Sequence, residues 1–315
     1  MSSPLLQRPG AVEADGVDAG VAAHYGDPYR EQRALADGVG LVDLSHRPVV
    51  AVSGPDRLTW LHSLTTQHLS ALAPHAWTQA LVLSPQGHVE HHLRLVDDGE
   101  TVRAVLEPGA AEPLIDYLDR MRFLLRVEVR DVTAEWAAVW QGGPQLVPRP
   151  SLADYDGPVA GVGALEALRV AAREPRLGLD TDHRTLPNEV PWLTTAVHLD
   201  KGCYRGQEAV ARVYNLGRPP RRLVLLHLDG SGSSLPALGA DVLLDGRAVG
   251  RAGTSVRHHE LGPLALALVK RNVPDDGALV VDGVAAAVDV NAGDDVPESP
   301  ARAAAAARSG LLRLR

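Results

Sequence analysis

The chain has 315 residues, room for two or three domains in one body, and its 45% hydrophobic and 22% charged residues are those of a folded globular protein. Its formal charge of -8 opposes nucleic-acid binding, where affinity comes from neutralised phosphates. A single cysteine, Cys203, excludes an internal disulfide, a CxxC redox pair and an all-cysteine metal or cluster site.

Residues 1–24 show neither the helical nor the strand period and read as a flexible arm. The opening MSSPLLQRPG lacks the basic region and apolar run of a signal peptide, and no stretch of about 18 apolar residues follows, so a cytoplasmic protein without membrane contact is expected. Residues 48–53 predict a short strand, and Gly54-Pro55-Asp56 then opens a helix with Leu58, Leu61 and Leu64 at helical spacing. Residues 77–106 alternate, with turn signals at Pro85-Gln86-Gly87 and Asp97-Asp98-Gly99, which predicts three antiparallel strands. A helix with Leu114, Ile115, Leu118 and Met121 on one face follows, and then strand-like runs at 124–132 and 136–140.

This grammar predicts an α+β region over residues 25–218, made of two interleaved subdomains. Residues 219–290 read as a C-terminal all-β barrel, because two of their runs pivot on Asp245-Gly246 and Asp282-Gly283, pairs suited to type I′ hairpins. Residues 291–315 read as a flexible tail.

The chemistry concentrates in Lys201-Gly202-Cys203-Tyr204-Arg205-Gly206-Gln207-Glu208, where two cations, a thiol, a phenol, an amide and a carboxylate are spaced by glycines. Lys201 is one of only two lysines. Ala209, Val210 and Val213 predict a short helix ending near Asn215-Leu216-Gly217, which places the thiol just before a helix N-terminus, where the dipole and Lys201 favour a thiolate. The opposing reading is a small thiol that fills space. From 200 to 222 the basic residues Lys201, Arg205, Arg212, Arg218, Arg221 and Arg222 outnumber the acids Asp200 and Glu208, which suits an anionic ligand or a solvated basic face. His91-His92 and His258-His259 lack zinc-site spacing, and Gly161-Val162-Gly163 is only a fragment of a dinucleotide fingerprint.

The octet KGCYRGQE resembles the KGC(Y/F)xGQE signature of the YgfZ-type folate-binding proteins, relatives of the glycine-cleavage T-protein aminomethyltransferases. The segment RVAAREPRLG, followed by Leu186-Pro187-Asn188-Glu189, resembles the lead-in to that signature, and Leu44-Ser45-His46 with GPDRLTWLHSLTTQHL resembles the early segments of T-proteins. The resemblance implies a T-protein-like cloverleaf around a channel that takes tetrahydrofolate, with the signature at its mouth. It implies catalytic roles for Cys203 and Lys201, and folate-binding or supporting roles for Glu189, Tyr204, Gly206, Gln207, Glu208 and Arg212, with Glu189 accepting from a pterin ring. It implies a tetrahydrofolate-binding protein that supports iron-sulfur cluster synthesis or repair and has iron-sulfur proteins or their assembly machinery as partners. The alternatives are a folate-dependent one-carbon transferase or demethylase and a non-catalytic folate-responsive module. In T-proteins the strand that matches Gly87 to Leu95 carries an Asp-Asp pair, whereas this chain reads Gly87-His88-Val89-Glu90-His91-His92-Leu93 with neither aspartate, which disfavours glycine-cleavage activity and leaves His91 or His92 as a base near neutral pH.

Overall fold

The computed structural model describes residues 2–290. Along the chain come β1 (Val12–Glu13), β2 (Ala22–His24), α1 (Pro28–Ala36), β3 (Leu41–Asp43), β4 (Val49–Ser53), α2 (Arg57–Leu64), β5 (Trp77–Leu83), β6 (Val89–Asp97) and β7 (Thr101–Val105). Next are α3 (Ala111–Met121), β8 (Glu128–Asp131), β9 (Trp136–Trp140), β10 (Pro144–Pro148), β11 (Val159–Ala160), α4 (Val162–Ala171), α5 (Trp192–Thr195) and α6 (Gln207–Leu216). The chain then closes β12 (Arg221–Leu228), β13 (Asp241–Leu244), β14 (Arg247–His258), β15 (Gly262–Lys270), β16 (Leu279–Val281) and β17 (Val284–Val288) into a six-stranded barrel.

Three bodies result. An antiparallel sheet of order β5-β6-β7-β4-β8 forms the first, and its strand period of two gives it two apolar faces. Val50, Val52, Ala80, Val82, Leu93 and Leu95 pack on Trp60, Leu61 and Leu64 of α2 and on Leu114 and Leu118 of α3. Leu81, Leu83 and Val89 instead meet Trp192, Val210 and the barrel. The second body carries the sheet β10-β9-β3-β11, whose strands lie on both sides of the first body in sequence. The barrel is the third. Val224, Leu226, Ala265 and Ala267 fill it, while Leu223, Leu225, Leu264 and Leu266 pack outward on the other bodies, which is why β12 and β15 are apolar on consecutive residues.

Residues 2–24 are not a flexible arm. Leu5 and Val21 are buried, Ser3 donates its backbone N–H to Gly20 O, and β1 pairs with β2. The segment is too short-stepped to show a period, because two 3-10 turns and two strands of two and three residues share its length. The expected tail at 291–315 lies outside the described residues. Among the described residues no helix is long and apolar enough to cross a membrane.

A buried ion network joins the bodies. Arg176, 1% exposed, donates to both oxygens of Asp18 at 2.8 Å and to Glu107 at 2.7 and 3.0 Å, and it lies 3.1 Å from Glu166. Arg169 adds Glu166 and Asp180, and Asp180 accepts from Thr254 N of the barrel. These partners come from the N-terminal segment, the turn after β7, α4 and β14.

Candidate functional site

The octet leads into α6 and is held down at four points. Lys201 is 6% exposed, and its ammonium donates to the carbonyls of His62, Thr65 (2.5 Å) and Gln67 (3.2 Å), the unsatisfied C-terminal acceptors of α2 and the turn beyond it. Burial pulls its pKa down to about 8. Tyr204 is buried in the core shared with Trp192 and the barrel, and its ring lies 5.2 Å from the Lys201 ammonium. The Gln207 amide donates to Lys201 O at 3.3 Å, closing the octet on itself.

Gly206 supplies the fourth point. It precedes α6 at φ 81°, and a Cβ there would lie 2.5 Å from Ser84 O and 3.0 Å from the Gly87 Cα. Only glycine combines that conformation with that approach to the turn between β5 and β6. α6 then ends at Gly217, φ 65°, where the sequence places its stop. Cys203 is left exposed with Gly202. Glu208 and Arg212 are exposed on α6, and neither side chain has a hydrogen bond or ion pair among the described residues.

Glu189 departs from its expected role. It is 3% exposed, and its carboxylate accepts from Arg221 at 2.9 and 2.8 Å and from Leu186 N at 3.0 Å. With both oxygens committed, it fastens the Leu-Pro-x-Glu turn to the first barrel strand instead of offering itself to a pterin. Burying a carboxylate demands such pairing.

The octet meets a cavity through Arg205. This cavity, of 820 Å³, is lined by β6 (Glu90, His91), by α3 (Tyr117, Arg120), by Leu177, Gly178, Thr181, Asp182 and His183 of the segment after α4, and by Arg251 of the barrel. Its wall carries three guanidiniums and two carboxylates. Glu90 pairs with Arg205 at 3.2 Å and Asp182 with Arg221 at 2.6 Å. The side chains of Arg120 and Arg251 are exposed and have no partner among the described residues. None of Tyr117, Arg120, His183 and Arg251 was among the expected site residues: Tyr117 belongs to the core under α3, and the other three are ordinary surface residues in their own segments.

His91 and His92 point to opposite sides of β6, as alternation requires. His91 is 8% exposed, lines the cavity and has neither ring nitrogen hydrogen-bonded; burial holds its pKa down to about 4. His92 faces inward, 4.6 Å from the Trp192 ring and 2.8 Å from Gln79 Oε1, and burial holds it down to about 3. Both are neutral at pH 7. His258 and His259 stack at 4.5 Å, with His258 Nδ1 accepting from the N–H groups of Glu260 and Leu261. Among the described residues no group of three or more histidines, cysteines or carboxylates is arranged to hold a metal ion.

Depressed histidine pKa values make stability depend on pH with a definite sign. Unfolding returns each imidazole to about 6.5, so below that pH the unfolded chain binds the extra protons. Their contribution is complete above about pH 6.5 and is lost as pH falls toward 4 for His91 and 3 for His92. A fully buried histidine loses about 2 kcal/mol between pH 6.5 and 5. His92→Gln is expected to flatten that part of a stability-against-pH curve from urea denaturation, and a slope equal to the wild type's would contradict the assignment.

Residues 9–146 match the family model of the GCVT N-terminal domain. The chain is similar to a chloroplastic protein of Arabidopsis thaliana provisionally named a transferase, at 24% identity over 74% of this chain and 65% of that one. It is also similar to the aminomethyltransferase of Thermotoga neapolitana, at 26% identity over 89% of this chain and 92% of that one. The glycine cleavage system aminomethyltransferase T from Bartonella henselae shares the fold, with a TM-score of 0.75, 16% identity, and coverage of 94% of this chain and 98% of that one. The chain spans less than two thirds of the chloroplastic relative's length.

Proposed function

We propose that this chain is a folate-binding relative of the aminomethyltransferases, of the YgfZ type, that takes tetrahydrofolate into the cavity beside the octet. The observation that carries this reading is the cavity itself. It lies between the first sheet with α3, the segment after α4 and the barrel of a T-protein-like fold, it is large enough for a folate, and its free guanidiniums suit the carboxylates of a glutamyl tail. His91, neutral and unpaired on the inner wall, offers one hydrogen bond to a heteroaromatic ring.

Aminomethyl transfer by a carboxylate is not part of this reading. The strand that resembles the T-protein Asp-Asp strand carries no aspartate before Asp97 and holds two neutral imidazoles, one of them buried against Trp192. The octet instead works as a clamp. Lys201, Tyr204, Gly206 and Gln207 anchor the backbone, and Cys203 is presented to solvent two residues before Arg205, which lines the cavity. A thiol held outward on a fixed loop suits transfer to, or protection of, a partner protein. This supports a cytoplasmic role in iron-sulfur cluster synthesis or repair with tetrahydrofolate as the cofactor. Iron-sulfur enzyme activity in cells lacking the protein tests that role: wild type restores it and Cys203→Ala does not.

Arg120→Gln and Arg251→Gln test the cavity. Each is expected to weaken tetrahydrofolate binding by roughly three- to tenfold, as the loss of one rim charge does. Calorimetry reads this directly. Unchanged affinity in both variants would move the ligand out of this cavity.

A further inference from the structure

α3 ends at Met121 and β8 begins at Glu128, and the turn between them carries its apolar residues on the outside. Phe123, the only phenylalanine of the chain, is 82% exposed, Leu124 100% and Leu125 41%. Every other exposed large hydrophobic among the described residues stands alone in sequence, as is ordinary on a protein surface. Three in a row make a contiguous apolar patch, the kind that marks a contact site.

The turn is braced at both ends. The Trp60 indole donates to Met121 O at 3.2 Å, and Leu125 N donates to Arg122 O at 3.1 Å. Asp56 accepts from the Arg126 backbone N–H at 2.9 Å and from its guanidinium at 2.8 and 3.1 Å. Gly54 packs so closely beneath that a Cβ there would collide with Arg126 O. Phe123 is held at φ 48°, a left-handed conformation that a bulky residue adopts only where its surroundings impose it. The apolar side chains are therefore presented outward on a fixed base.

Charge indicates what they meet. Residues 120–127, RMRFLLRV, hold three arginines and no acid. Arg122 lies 3.9 Å from Asp119, beyond hydrogen-bond reach, with both side chains about half exposed, and Arg126 keeps 74% of its side chain in water although Asp56 holds it. An apolar centre rimmed by arginine is the composition of a protein–protein contact. A membrane fits less well: the three side chains offer about the hydrocarbon of one myristoyl chain, which alone binds marginally, and anionic lipid repels a chain of charge -8. At the foot of the turn Arg120 lines the cavity of 820 Å³, and Arg205 of the octet lies 5.6 Å from the ring of Tyr117, one turn earlier on α3.

We infer that residues 122–126 are the docking point for a partner protein that presents an apolar pocket rimmed by carboxylates. Phe123 and Leu124 enter the pocket, Arg122 and Arg126 meet its rim, and the partner stands beside the cavity mouth. This deepens the proposed function and rests on it for one point only, that the docked protein is the one served at the cavity.

The experiment places the photo-crosslinking residue p-benzoylphenylalanine at position 124 of the full chain, or at position 261 as control, where Leu261 is an isolated exposed leucine of the β14–β15 hairpin, and irradiates living cells. A protein is expected to cross-link from 124 and not from 261. Once purified, it is expected to bind the unmodified chain with an affinity that Leu124→Asp lowers at least about tenfold and Arg122→Gln about threefold. Leu124 is fully exposed, so Leu124→Asp is expected to unfold at the wild-type temperature and to bind tetrahydrofolate as the wild type does, which separates a failure here from a failure of the folate reading. Equal or absent cross-linking at the two positions, or a captured protein whose binding ignores Leu124→Asp, overturns the inference. Cross-linking to a second copy of the chain does so too, as does co-sedimentation with phosphatidylglycerol vesicles that Leu124→Asp abolishes.

Discussion

Arg176→Met is expected to be the most damaging single substitution in the chain. The guanidinium is 1% exposed and gathers Asp18, Glu107 and Glu166 from three separate segments. It holds Glu107 down to about 2, together with Arg47, whose own bridge to Glu107 is 3.8 Å long. Removing the cation leaves carboxylates buried without their counterion, which costs about 3–5 kcal/mol, a large share of the about 5–15 kcal/mol that holds a domain together. Urea denaturation measures it, with an unchanged slope showing that the unfolded state is the same. Arg176→Lys is expected to recover only part, since one ammonium does not replace a fork that reaches three carboxylates. A loss below about 1 kcal/mol, the size of a surface ion pair, would contradict the account of the junction.

Lys201→Met follows. The resemblance alone assigns this lysine a part in catalysis, but its ammonium is spent on three carbonyls at the end of α2, where the helix dipole also favours a cation. Methionine keeps the apolar stem and removes the donors. Orphaned carbonyls cost about 1–3 kcal/mol each when buried, and partial hydration through the neighbouring exposed loop brings the expected total to about 2–4 kcal/mol. The octet should loosen as well, so the Cys203 thiol should react faster with a thiol reagent such as dithiobis-nitrobenzoate. A variant as stable as the wild type with unchanged thiol reactivity would mean that Lys201 is free for chemistry after all.

The architecture was legible wherever a period or a turn chemistry recurred. The alternation over 77–106 became β5, β6 and β7, and the leucines at 58, 61 and 64 became α2. Asp245-Gly246 and Asp282-Gly283 both take positive φ at their hairpins. Residues 2–24 were not legible, because their order comes from pairing with distant residues, such as Asp18 with Arg176, and not from any local pattern. The pairing of Glu189 was not legible for the same reason: its partner Arg221 lies 32 residues further on, and a carboxylate in a conspicuous turn looks free until that partner is seen. The octet was conspicuous as a motif, yet the division of labour within it depends on contacts with α2 and with the turn after β5. The rim arginines at 120 and 251 belong to no motif and become a pair only through the fold.

Calorimetric titration of the full-length chain with tetrahydrofolate under reducing conditions tests the central claim most directly. The account predicts saturable binding with one folate per chain, retained by Cys203→Ala and weakened by Arg120→Gln and Arg251→Gln. Heats indistinguishable from dilution, given by a protein that still unfolds cooperatively, would contradict it and leave a T-protein-like fold whose cavity takes some other ligand.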